Sequence, residues 1–408
     1  MGFVLRLFFA SLIVYLVYGL YVSNFNFTGA VEQTLALKHP MGLFDYKGVI
    51  NVHTKASTGS GTIDEIVIAA QNAKLDFIVL TDLNAFPPNK SEEKYRDNLL
   101  LLNDGEYSYL DSRILFLDIK NNQEVQGPGQ IQTLLGDHLS RVDHRESDSL
   151  FILSHPLKPG YGWSGPYPPG LNGVEVINLR SIWESGWKKN RASFVGSLLT
   201  YPFNSQLSFL RLLGELKDEQ ALWDQLTNLR PTFATVGTDA EAKIKITSDN
   251  FLKFPSYETL FSIASNHVLL KSELTGNFIS DKEKIIKALA DGQFYLSFDM
   301  LANPKGFSAG LKTSGDEYLL MGSKVKFTSD LTLQVQLPET LSTSGLRDHE
   351  TVLIRNGKEI FRSKEDKVTY TVSEPGVYRF VINVIPHLPM PDGKKWIPWI
   401  LSNPFYIH

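Results

Sequence analysis

At 408 residues the chain is long enough for two or three domains, and its 43% hydrophobic and 21% charged composition supplies sizeable cores and excludes wholesale disorder. A formal charge of −4 leaves no basic field, so a dedicated nucleic-acid binder is not expected. The chain has no cysteine, which excludes disulfide frameworks, thiolate metal sites and thiol nucleophiles but leaves the redox compartment open.

The first predicted element is apolar. No charged residue lies between Leu7 and Val22, and Arg6 is the only one before Glu32. A helix of roughly 20 such residues spans a bilayer, and Arg6 can snorkel to the headgroups. Residues 1–23 are therefore expected to be a transmembrane anchor, with a linker over 24–45. A cleaved signal peptide is the rival reading, disfavoured because the run is long and no clear small-x-small site follows Gly19. With its one cation on the short N-terminal side, the anchor would leave the bulk of the chain periplasmic or otherwise extracytoplasmic.

From Gly48 to Asn84 the pattern is that of a βαβ unit. An apolar strand runs into His53, and a Gly/Ser-rich loop follows. The capping box Thr62–Glu65 then opens a helix with Ile63, Ile66, Val67, Ala70 and Ala73 at helical spacing, and a strand from Phe77 to Leu80 runs into Asp82. Strand patterns at Leu99–Leu102 and Ile114–Ile119 flank Asn103-Asp104-Gly105-Glu106, which places Glu106 at a strand end. Helical spacing over Gln130–Asp143 leads to the strand Leu150–Ser154, stopped by His155-Pro156. An aromatic loop follows, and then a strand from Gly173 to Ile177 that ends at Asn178. The stretch Ile182–Leu229 reads as largely helical, and Phe233–Val236 as a strand entering Gly237-Thr238-Asp239-Ala240-Glu241-Ala242. A helix over Asp281–Asp291 and a strand over Phe294–Phe298 precede a region of alternating strands with an Asn356-Gly357 hairpin turn.

Taken in order, these strand ends resemble the PHP (polymerase and histidinol phosphatase) superfamily. Asn51-Val52-His53-Thr54 stands where that family has His-x-His-Thr, and Ser57-Thr58-Gly59 where it has Ser-Asp-Gly. Thr81-Asp82-Leu83-Asn84 corresponds to Thr-Asp-His-Asn, and the Gly237–Ala242 run to Gly-Ser-Asp-Ala-His-Ala. Gly105-Glu106, His155-Pro156 and the frame Gly173, Glu175, Asn178 match it, while Ser112-Arg113 replaces a Gly-His. The tail from Trp399 to Tyr406 is similar to that of a membrane-anchored bacterial subgroup.

The resemblance implies an α/β chain: a PHP-type distorted (β/α)7 barrel over 46–303, then an all-β immunoglobulin-like sandwich over 304–408. It carries over His53, Asp82, Glu106, His155 and Asp239 as metal ligands, with Asn51 and Glu241 as oxygen-donating helpers and Arg113 as a residue for a small phosphorylated or anionic ligand. Mn²⁺, Mg²⁺, Fe²⁺ or Zn²⁺ at reduced stoichiometry is the implied cofactor. Because Asn51, Thr58, Leu83, Arg113 and Glu241 replace family ligands, the expected protein is a degenerate phosphoesterase acting as a pseudoenzyme or binding module. The alternatives are an active phosphoesterase with one or two metals and a sandwich that binds glycan or protein while the barrel presents it. Glu175 and Asn178 are expected to hold the barrel mouth together, and Tyr161, Trp163 and Tyr167 to pack on its rim in preference to forming a lid. His138 and His144 are expected to be solvated, and His39, His267, His349, His387 and His408 show no partner pattern.

Overall fold

The computed structural model describes residues 2–25, 39–86, 88–118, 127–141, 149–158, 160–189, 191–245, 247, 250–313, 315, 317–339, 341 and 346–408. His144 and most of the 24–45 linker lie outside them.

Seven strands close on themselves: β1 (Phe44–Val52), β2 (Phe77–Leu83), β3 (Leu99–Tyr109), β4 (Ser112–Leu117), β5 (Leu150–Ser154), β6 (Gly173–Asn178) and β7 (Phe233–Ala240), with β7 pairing back onto β1. Neighbours are parallel except where β4 meets β3 and β5, so the ring is a parallel barrel with one reversed strand. That reversal corrects one expectation. Leu99–Leu102 is only the start of an 11-residue strand that continues through Glu106 to a hairpin turn, so Glu106 lies within a strand and not at its end. Glu106 stands level with Leu83, the last residue of β2, so its side chain still reaches the mouth.

The strands read as nearly continuous apolar runs because they are buried on both faces; Val49, Ile78, Leu101, Ile152 and Val236 are all at most 1% exposed. The helix Ile63–Asn72 starts at the expected capping box, with Thr62 Oγ1 accepting from Glu65 N and Glu65 returning the bond to Thr62 N. Four helices, Leu179–Lys189, Arg191–Thr200, Ser205–Leu212 and Lys217–Leu229, fill the stretch between β6 and β7. The N-terminal helix runs Gly2–Ser23, with an apolar window over Phe3–Ser23 long enough to cross a membrane.

The last hundred residues form two sheets. One has four strands, Ser308–Lys312, Tyr318–Leu319, Thr332–Gln336 and Lys367–Thr371. The other contains Leu346–Arg355, Lys358–Ser363, Gly376–Pro386, Ile397–Ser402 and Phe405–Ile407. This second sheet runs on into the barrel: Ile397–Ser402 pairs with Phe294–Ser297, which pairs with Ser265–Leu270 and so reaches β1. Side chains reinforce the seam. Asn403 Oδ1 accepts from Ala234 N at 2.8 Å, and Arg379, 2% exposed, makes a two-pronged contact with Asp224 at 2.9 and 2.8 Å.

Candidate functional site

The C-terminal ends of the parallel strands, where barrels of this kind build their sites, bring together four of the five expected ligands. His53 Nε2 lies 3.6 Å from Glu106 Oε2 and 3.5 Å from Asp239 Oδ1. His155 stands between the same carboxylates, its Nε2 3.0 Å from Glu106 Oε1 and its Nδ1 3.3 Å from Asp239 Oδ2. All four are at most 5% exposed. Three mouth residues, Asn51 (φ 63°), His155 (φ 37°) and Asp239 (φ 43°), have left-handed backbones. Such a conformation costs about 1 kcal/mol or more for a residue with a Cβ and collects at functional sites.

Asp82 is held elsewhere. Its carboxylate accepts from Thr54 N (2.8 Å), Thr54 Oγ1 (2.7 Å) and Ser57 Oγ (2.5 Å), so it ties down the loop after β1. That loop is fixed again by Tyr257, whose hydroxyl accepts from Ser60 N and Gly61 N and donates to His53 O. Asn51 Nδ2 donates to Ser154 Oγ at 3.0 Å and to Glu175 Oε1 at 2.8 Å, while its Oδ1, the atom expected to help a metal, lies 3.5 Å from Thr81 Oγ1. Glu175 and Asn178 do hold the mouth together. Glu175 Oε2 accepts from Ser154 Oγ, His155 N and Asn178 Nδ2, and Asn178 Nδ2 also meets His155 Nδ1 at 3.0 Å. Gly237 is required beside it, since a Cβ there would overlap the Glu175 carboxyl.

Arg180 is the residue that sequence reasoning missed. Its Nη1 makes an ion pair with Glu241 and lies 3.8 Å from Asp239 Oδ1, while its Nε donates to Glu184 Oε1 at 2.9 Å. Glu241, expected as a helper for a metal, therefore faces a guanidinium. Because Arg180 is the second residue of a helix that begins directly after Asn178, the match at Gly173, Glu175 and Asn178 located it to within two positions, but nothing marked its side chain as facing the mouth. Arg113 sits at the rim at the start of β4, donating to Ser108 Oγ at 2.7 Å with its guanidinium carbon 5.2 Å from the Tyr161 ring centre; Lys158 Nζ lies 5.1 Å from the same centre. Trp163 stacks on Tyr109 at 6.0 Å, so the aromatic loop packs on the rim as expected. A cavity of about 260 Å³ opens beside Arg180 and Glu241, with Trp183, Phe209 and Phe254 in its wall.

Electrostatically the mouth compensates itself. Burial works against charge on both imidazoles, but the carboxylates outweigh it, raising His53 and bringing His155 up to about 9. Burial likewise opposes charge on Glu106 and Asp239, yet His155 and His53, with Arg180 added at Asp239, hold both below the usual carboxylate range. Glu175 goes the other way, pushed up by its burial. Among the described residues no set of three or more His, Asp or Glu side chains is arranged to hold a metal ion, because these groups grip one another. At the mouth, His53 Nδ1 is buried and has no hydrogen-bond partner.

Two further expectations change. His138 is not solvated; it is half-buried and stacks on Phe151 at 5.4 Å. His267, which shows no partner pattern in sequence, is wedged between Asp45 (2.8 Å) and Asp299 (3.2 Å).

No family model matches the chain, and no curated protein matches it. Among solved structures it is similar to a two-domain protein from Bacteroides vulgatus containing a predicted PHP-like metal-dependent phosphoesterase. The identity is 12% and the TM-score 0.41, with 90% of this chain and 99% of that one covered.

Proposed function

We propose that this chain is a degenerate PHP-type barrel that binds a small anionic ligand at its mouth instead of hydrolysing a phosphoester, joined to a C-terminal sandwich and held at the membrane by its N-terminal helix. The observation that carries the reading is the Arg180 guanidinium, set against Glu241 and Asp239 in the position where the sequence resemblance expects a cation-binding group. An arginine stays charged at any pH the folded protein meets, so it opposes a metal ion there permanently. Both Asp82 carboxylate oxygens are meanwhile committed to hydrogen bonds within the protein. Arg113 gives a ligand phosphate or carboxylate a cation at the rim, beside a Lys158 that is itself paired with Glu184 at 3.3 Å, and the aromatic wall beside Arg180 accommodates an apolar group.

The test uses the full chain in detergent, assayed with Mn²⁺, Mg²⁺ and Zn²⁺ on a generic phosphomonoester and titrated with inorganic phosphate. The expected result is no turnover, with phosphate binding weakened at least tenfold by Arg113→Ala. Metal-dependent turnover abolished by Glu106→Gln overturns it. That outcome belongs to a second reading, a one-metal phosphoesterase, favoured by the convergence of buried Glu106 and Asp239 on His53 Nε2 at 3.6 and 3.5 Å. In it those three residues hold the ion, which would lower the pKa of a bound water toward neutrality.

A further inference from the structure

The helix Arg191–Thr200 buries Phe194, Ser197 and Thr200 and turns apolar side chains outward. Phe194 packs inward, while Val195 (45% exposed), Leu198 (37%) and Leu199 (53%) point outward, and Trp187 at 47% extends the patch from the preceding helix. Arg191 edges the patch, its guanidinium carbon 5.3 Å from the Trp187 ring centre, the cation-and-tryptophan rim of a surface-lying membrane element.

What covers the patch is indicated by its neighbour. The Tyr15 hydroxyl of the N-terminal helix donates to Leu199 O at 3.0 Å, and the Tyr15 ring lies 5.2 Å from that of Phe203. Gly19 leaves room for the same Phe203 ring, and Asn204 Nδ2 donates to Val22 O at 3.0 Å. One stripe of the N-terminal helix, through Tyr15, Gly19 and Val22, is thus docked on the helices between β6 and β7, while Phe3, Phe8, Ile13 and Val17 remain exposed. Tyr15 lies eight residues before the helix end at Ser23, about 12 Å along its axis. A bilayer that takes up this helix as far as Tyr15 therefore also reaches Leu199. The level is marked by Tyr15, Tyr18 and Tyr21, residues of the type that collects at membrane interfaces, and the Tyr18 hydroxyl accepts from Arg211, which is ion-paired with Asp392 at 2.7 Å.

We propose that Val195, Leu198 and Leu199, with Trp187, form a second membrane contact that lies in the interfacial layer beside the N-terminal helix and fixes how the barrel sits on the bilayer. The inference rests on reading the N-terminal helix as bilayer-embedded. The lack of cysteine allows single nitroxide labels at I13C, V195C, L198C and I279C in the full chain, reconstituted in phosphatidylcholine nanodiscs, with collision by oxygen and by a water-soluble nickel chelate compared. Ile279, 69% exposed on another helix, is the aqueous reference. The expected result is an oxygen-to-nickel ratio severalfold above that of I279C at I13C, V195C and L198C alike. Lipid exposure at I13C with water exposure at both V195C and L198C overturns the inference and leaves the membrane helix standing. Water exposure at all four positions overturns both.

Discussion

At the N-terminal end of β1, Asp45 joins His267, Asp299, Lys47 and Tyr295 in one buried cluster; past its C-terminal end, His53 joins Glu106, His155 and Asp239 in another. The residue types are almost the same, and in each the acids raise an imidazole to about 9 against the effect of burial. They differ in completeness. In the first cluster every carboxylate oxygen has a partner: Asp45 meets His267 and the Tyr295 hydroxyl at 2.6 Å, and Asp299 meets His267, Ser265 at 2.5 Å and Lys47 at 3.1 Å. In the second, the imidazole-to-carboxylate contacts spread from 3.0 to 3.6 Å, His53 Nδ1 has no partner, and the backbones of His155 and Asp239 are left-handed. Acid–imidazole clustering is therefore a poor sign of function by itself. Unmet hydrogen bonds and backbone strain separate a site from a staple.

The largest expected effect breaks the staple. Asp299→Asn weakens the contacts to Lys47 and His267 together, and removing one partner from a buried ionic network costs about 3–5 kcal/mol, read from urea unfolding of the full chain in detergent. Next is Gly237→Ala, which drives a methyl into Glu175 and should cost about 1–3 kcal/mol while loosening the mouth. A third prediction concerns pH. His267 is raised in the folded state from 6.5 to about 9, so the stability it contributes is complete below about pH 6.5 and is lost as the pH rises through about 9. Unfolding midpoints should fall across that window, and His267→Gln should remove the dependence that this residue contributes. The smallest effect sharpens the contrast: Asp239→Asn should cost less than Asp299→Asn in the same assay, because it also relieves repulsion from Glu106 and leaves Arg180 its Glu241 partner.

The barrel frame was legible because its strands are buried on both faces and end in polar residues, which made β1, β2, β5, β6 and β7 visible as apolar runs. The reversed β4 and the length of β3 were not, because Asn103-Asp104-Gly105-Glu106 carries turn-forming residues that barrel closure holds extended. Within the site, the approach of His53, Glu106, His155 and Asp239 was expected only from the family resemblance that their motifs carry. The commitment of Asp82 to Thr54 and Ser57, and the arrival of Arg180, depend on side-chain direction, which spacing does not encode. The staple was missed for a related reason: Asp45, His267 and Asp299 come from strand ends more than 200 residues apart in the case of Asp45 and His267.

The central claim, that the chain's own arginine takes the place of a metal at the mouth, is tested most directly by metal content. Full-length protein and Arg180→Ala are each loaded with Mn²⁺ or Zn²⁺, dialysed and analysed by mass spectrometry. The account predicts less than one equivalent in the wild type and a clear gain in the variant, where Glu241 and Asp239 lose their guanidinium. One or more equivalents retained by the wild type, with no change on substitution, contradicts it.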